Sequence, residues 1–159
     1  MKQHPPLPPS RYEVGIYCRV STASKTQVVS AGHQLSGLIA DVANSQQARM
    51  YDVYLDIQSG RTSDNRKNLM RLLDDCRAGR VTLVYTKSIS RFARNTVDVL
   101  TIVRKLKKVN VPVYFENEQL YSFDKEAELA ISLHGAIAQG ESENKSENRI
   151  SMYQSSYGT

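Results

Sequence analysis

Cysteine is scarce in this chain: Cys18 and Cys76 are the only two among 159 residues. Their separation fits no metal-binding pattern, and two thiols are too few for a disulfide framework. The expectation is two reduced thiols in a cytoplasmic protein. Histidine is equally thin. His4, His33 and His134 are scattered along the chain, and no carboxylate cluster has a ligand spacing. Metal chemistry therefore has no support. No apolar run approaches the roughly 18 residues of a membrane-spanning helix, and the N-terminus lacks an apolar signal core. There is no P-loop, and no Gly-x-Gly-x-x-Gly follows the first predicted strand, so neither a nucleotide nor any other cofactor is expected. Internal repeats are missing as well.

What remains is long enough for one domain with a real core. Apolar residues make up 40%, too many for a disordered chain. The 21 basic residues outnumber the 16 acidic ones, giving a net charge of +5. That balance mildly favours an anionic partner.

Four of the five prolines fall within the first nine residues, which marks 1–12 as an extended tail. Glu13–Tyr17 then reads as a short strand, followed by a polar, irregular stretch from Ser21 to Val29. A helix is predicted from Ser30 to about Gln47 on the spacing of Ala31, Leu35, Leu38, Ile39 and Val42. Met50–Leu55 is a second strand, and Asp56–Asn65 a polar loop. Arg66–Arg77 is helical with Gly79 as its stop, and Val81–Thr86 is a buried strand. A loop over Ser88–Arg94 precedes a helix capped by Asn95 or Thr96 and running to about Val109. Val111–Phe115 is a fourth strand.

This alternation predicts an α/β domain over residues 13–125: a three-layer arrangement of mostly parallel strands with flanking helices. The loops after the first three strands then share one sheet edge, where such folds keep their sites. Residues 126–159 form a separate unit, read as one long C-terminal interface helix from Glu126 to about Ile150. Its first half is apolar, whereas Gln139 to Arg149 contains no apolar residue. A helix of about 25 residues spans about 37 Å, more than a small domain needs.

Two short runs carry the chemistry: Tyr17-Cys18-Arg19-Val20-Ser21-Thr22 and Lys87-Ser88-Ile89-Ser90-Arg91-Phe92-Ala93-Arg94. Ser21 lies just past a strand, a position that usually signals no more than a turn or a cap. Arg19 sits in an apolar strand, where a charge needs a partner, and Asp56 is the candidate for a structural salt bridge. Arg91 and Arg94, three apart, face one way if their loop is a helical turn. Arg66 opens a helix whose dipole disfavours it. With Lys87, five cations from four segments converge on one edge beside one hydroxyl. A serine ringed by arginines suits attack on a phosphodiester, because guanidinium forks match phosphate oxygens and stay charged.

These runs closely resemble the catalytic domain of the serine recombinases, the resolvases, invertases and their large integrase-like relatives. The resemblance covers roughly Val14 to Arg149. It includes Gln27, Ser30 and Gln34 near the nucleophile, and Asp56 with Ser59-Gly60 and Arg66 as a second active-site loop. Ser90 to Arg94 resembles the third loop, and Ala136 to Glu143 the start of the interface helix. Many small resolvases carry an aspartate where Ser90 stands, and several large members do not, so the chain looks most like the large branch. The family continues into a DNA-binding region, whereas this sequence stops at Thr159, so the expectation is an isolated catalytic domain or a truncated product.

The resemblance implies that Ser21 attacks a DNA phosphorus and becomes joined to the 5′ phosphate, so that strands are cleaved and rejoined without ATP. Arg19, Arg91 and Arg94 would neutralise transition-state charge. Arg66 and Lys87 would position the phosphate or assist the leaving oxygen, Asp56 would orient an arginine, and Ser59 and Gln34 would complete the polar network; Ser90 joins the catalytic set at the position where many small members carry an acid. Double-stranded DNA and further copies of the chain are the implied partners, in dimers that pair into tetramers. Leu133, Ile137 and Glu141 are the candidate interface. The rival reading is a non-catalytic oligomerisation module of the same fold. A phosphotransferase for small phosphates is a third, disfavoured because it leaves the long polar helix without a role.

Overall fold

A computed structural model describes residues 11–21, 24–58 and 66–137. Five strands form one sheet in the order β2-β1-β3-β4-β5. They are β1 (Tyr12–Ser21), β2 (Ala48–Gln58), β3 (Leu83–Thr86), β4 (Val113–Phe115) and β5 (Leu120–Tyr121). The first four pair in parallel, and β5 runs antiparallel to β4. The helices are α1 (Lys25–Ala43), α2 (Lys67–Arg77), α3 (Ile89–Phe92), α4 (Thr96–Lys108) and α5 (127–137). Among these, none is long and apolar enough to cross a membrane.

The predicted α/β architecture is what the chain adopts, with four local differences. β1 and β2 both run past their predicted ends, so Arg19, Ser21, Asp56 and Gln58 are strand residues. α1 begins at Lys25, not Ser30, because Ser24 caps it: its Oγ accepts from the Gln27 amide at 3.2 Å. The Ser88–Arg94 segment contains a helical turn, α3, capped by Ser88, whose Oγ accepts from the Arg91 amide at 3.3 Å. Asn95 is the cap of α4, accepting from the Asp98 amide at 2.8 Å. Strand β5 has no counterpart in the sequence reading. The turn before it places Gln119 at φ 48°, a conformation its side chain gives no reason to expect.

The layers follow from strand alternation. On one sheet face Val14, Ile16, Cys18 and Val20 of β1 meet Ala31, Leu38 and Val42 of α1. On the other, Tyr17 and Tyr54 join Leu69, Leu72 and Cys76 of α2, Val99, Ile102 and Leu106 of α4, and Ile131 of α5 in the larger core. Gly15 is what lets α2 sit so close: a Cβ there would lie 2.7 Å from Leu72 Cδ1. The β1–β2 register shifts between Val14 and Gly15, leaving Tyr51 as an extra residue on β2. Beyond that bulge Tyr17 stands beside Tyr54, Arg19 beside Asp56 and Ser21 beside Gln58. Because the strands are parallel, their carboxyl ends bring Ser21, Gln58 and Lys87 to one edge.

Candidate active site

β1 presents Tyr17, Arg19 and Ser21 on the face that carries α2 and α4, since residues two apart share a face. β2 adds Asp56 and Gln58 to that face. Arg19 is anchored by Gln58, whose Oε1 accepts from Nη2 at 2.8 Å and from Nε at 3.2 Å. Its remaining nitrogen, Nη1, is shut off from solvent and has no acceptor among the described residues. The Arg19–Asp56 salt bridge expected from the sequence is not made, although the two residues are register neighbours.

Asp56 instead serves Tyr17 and α2. It is 5% exposed and accepts three hydrogen bonds: from Tyr17 Oη at 2.9 Å, the Asn68 amide at 2.9 Å and the Leu69 amide at 3.0 Å. The N-cap residue of α2, Arg66, makes no side-chain cap, so Asp56 supplies one from the neighbouring strand. No arginine is among its hydrogen-bond donors in the described residues. Burial and the Asp56 charge push the Tyr17 hydroxyl far above its usual range, and the charges of Arg66 and Arg19 pull the other way. Tyr17 thus feels both guanidinium groups, which brings Arg19 and Arg66 into one neighbourhood.

Arg66 meets Asp98 of α4, with Nη1 and Oδ2 2.6 Å apart. Arg91 is exposed on α3, and its charge reaches Cys18 on β1, opposing the rise that burial imposes on that thiol. Arg94 is exposed two residues before α4, and Ser90 is exposed on α3 with its Oγ 3.2 Å from that of Ser88. Lys87 ends beside Glu116, Nζ to Oε2 at 2.6 Å, next to Tyr85 and the α1 side of the sheet. Gln34 lies within α1, and no hydrogen bond among the described residues links it to the groups above. Ser59 and Glu141 lie outside the described residues, as do most of the segment expected to form a second active-site loop and all of Gln139–Arg149, the expected polar half of the C-terminal helix.

The residues match the family "Resolvase, N terminal domain" from 14 to 155. The chain belongs to this resolvase family. Solved structures similar to this resolvase-family domain include recombinases and recombinase catalytic domains. A resolvase family site-specific recombinase from Streptococcus pneumoniae is 26% identical with a TM-score of 0.63, covering 94% of this chain and 100% of that one. The N-terminal catalytic domain of TP901-1 integrase is 23% identical with a TM-score of 0.60, covering 82% and 97%. The C-terminal catalytic domain of ISC1926 TnpA, an IS607-like serine recombinase, is 21% identical with a TM-score of 0.55, covering 92% and 86%. Curated proteins gave no match.

Three partners of the candidate residues escape a sequence reading: Gln58, Asp98 and Glu116. Gln58 had a signal, since it follows Asp56 by two and therefore shares its face. Asp98 and Glu116 come from distant segments, and only packing brings them to Arg66 and Lys87.

Proposed function

We propose that this domain cleaves and rejoins double-stranded DNA through a covalent 5′-phosphoserine at Ser21. The observation that carries the reading is the pairing of Ser21 with Arg19 on one strand face, where Arg19 Nη1 has no acceptor among the described residues. A buried guanidinium nitrogen calls for an anion, and a phosphate oxygen is the anion its geometry matches. The Ser21 Oγ–phosphorus bond forms as the bond from phosphorus to the 3′ oxygen breaks. The serine gives up its proton and the departing oxygen leaves as a 3′ hydroxyl. Reversal with a different 3′ hydroxyl rejoins the strand, and no ATP is consumed because the phosphodiester is conserved as a phosphoester. Arg19, Arg91 and Arg94 neutralise charge on the five-coordinate phosphorus, with Arg66 as a further cation.

Self-association fits the same reading. Leu129, Leu133 and Ile137 repeat every four residues on α5, and each is more than half exposed. A stripe of this kind is an unpaired helix face that a second copy would cover. Two such dimers would meet on DNA to exchange strands, and Glu141 lies further along the same segment.

The test incubates the chain with a radiolabelled pool of randomised duplexes, each nicked to trap cleavage, followed by a denaturing gel. A protein–DNA adduct in the parent and none with Ser21→Ala supports the reading. A folded, DNA-binding parent that forms no adduct would favour a non-catalytic oligomerisation module.

A further inference from the structure

We infer that Asp98 is a positioning residue for the recombinase reaction: it holds the Arg66 guanidinium in place, and through that pair sets Arg66 against the turn that carries Arg91 and Arg94. The inference rests on the reading of Arg66 as a site cation.

Arg66 is badly placed for its own sake. It is the N-cap of α2, where the helix dipole opposes a cation, and its side chain is only 13% exposed. A cation so enclosed needs a counter-charge. Asp98 provides it at 2.6 Å, and both contacting atoms are closed to solvent. They meet as an ion pair, not as an aligned hydrogen bond, so the hold is mainly electrostatic.

Asp98 is in turn well placed. It lies in the first turn of α4, where the dipole favours a carboxylate. Its amide is tied to Asn95 Oδ1 at 2.8 Å, which fixes the backbone that carries the carboxylate. Behind it Val99 and Ile102 are buried in the main core, so the carboxylate projects from a rigid base. Asn95 directly follows Arg94. One ion pair therefore joins the start of α2 to the segment that delivers two more arginines. Neither element alone fixes that relation. α2 is otherwise anchored to the sheet through Asp56, and α3 through Ser88 and through Glu118, whose Oε1 accepts from the Ile89 amide at 3.2 Å.

A clasp that merely joins α2 to α4 would also use such a pair, so the test separates the two roles by non-additivity. The full chain is compared as parent, Asp98→Asn, Asp98→Glu, Arg66→Gln and Asp98→Asn with Arg66→Gln. Adduct formation on the nicked duplex pool is followed in time. The Arg66 Nε–H signal, identified by its loss in Arg66→Gln, is followed by NMR. Displacing a reacting group by about 1 Å can cost up to about 100-fold in rate, which sets the scale for Asp98→Asn. The double variant is expected to be no slower than Arg66→Gln alone, and Asp98→Glu to recover part of the loss. The Nε–H signal should broaden and exchange faster in Asp98→Asn.

Losses that multiply in the double variant, or an Asp98→Asn protein that reacts at the parental rate, would overturn the inference. A parent that forms no adduct counts against the recombinase reading instead. In that case the Nε–H signal decides about Asp98 by itself, and an unchanged signal in Asp98→Asn overturns the positioning role.

Discussion

The Tyr17 hydroxyl donates to Asp56 Oδ2 at 2.9 Å across the β1–β2 pair, beneath the residues that carry the site. Tyr17 is fully buried, with its ring edge-on to Phe92 at 5.8 Å. Asp56 spends its other contacts on the first amides of α2. One buried carboxylate thus fastens a strand, a helix start and a tyrosine. Tyr17→Phe keeps the packing and leaves Asp56 short of a donor, and the expected loss is about 1–3 kcal/mol. Asp56→Asn should cost at least as much, because an amide group turned toward Asn68 or Leu69 faces another donor. Chemical denaturation of the two variants and their double measures both. Midpoints equal to the parent would mean that the three bonds contribute nothing net.

Gly135 lies against Thr96 so closely that a Cβ there would fall 1.6 Å from the threonine Oγ1. α5 crosses the start of α4 at this point, and no other residue fits. Gly135→Ala gains helix propensity but must push α5 outward, and overpacking of this kind costs about 1–3 kcal/mol. Thermal unfolding should show a lower midpoint, partly restored by adding Thr96→Ala. A midpoint raised by Gly135→Ala alone would mean that α5 is not seated on α4.

Both thiols should be silent in the native protein. Burial pushes Cys76 up to about 12, helped by the Asp75 charge, and it raises Cys18 against the opposing charge of Arg91. The thiolate is the reactive species, so alkylation at pH 8 should leave both cysteines unmodified until denaturant is added. Mass spectrometry of the native sample is the readout. Early labelling of Cys18 alone would report opening between β1 and α1.

Acid sensitivity should include a small contribution from Asp52. A hydrogen bond from Arg71 holds its carboxyl below the ordinary 3.8, with Nη1 and Oδ2 at 2.6 Å. A depressed carboxyl stabilises the fold above its unfolded pKa, and that contribution is lost as pH falls through the folded value. Both side chains are nearly half exposed, so solvent screening keeps the gain below about 1 kcal/mol. Asp52→Asn should therefore flatten the stability curve below about pH 4 and change it little at neutrality. An acid limb identical to the parent's would exclude the pair as a contributor.

Much of this domain is legible along the chain because the signals are local. The helical spacing in α2 and α4, the Asn95 cap and the apolar strands each depend on residues a few positions apart. Tyr17, Arg19 and Ser21 must share a face whenever β1 is a strand, so one wall of the site follows from alternation alone. α1 starts five residues before the apolar spacing predicts, because its first turns, Lys25 to Ser30, are exposed and carry no buried stripe, leaving the Ser24 cap as their marker. β5 escaped because two residues cannot show a period.

Partner choice among the candidate site residues was decided by tertiary structure. Register alone brings Arg19 beside Asp56, yet Arg19 takes Gln58 while Asp56 turns to Tyr17 and α2. That outcome depends on the extra residue at Tyr51 and on the docking of α2 over Gly15. Arg66 and Lys87 find Asp98 and Glu116 across 32 and 29 positions of sequence, respectively. Composition and spacing specify which residue types reach the sheet edge. The carboxylate that meets each cation is set by how helices and strands pack, because a charged side chain leaving water takes the nearest partner the fold provides.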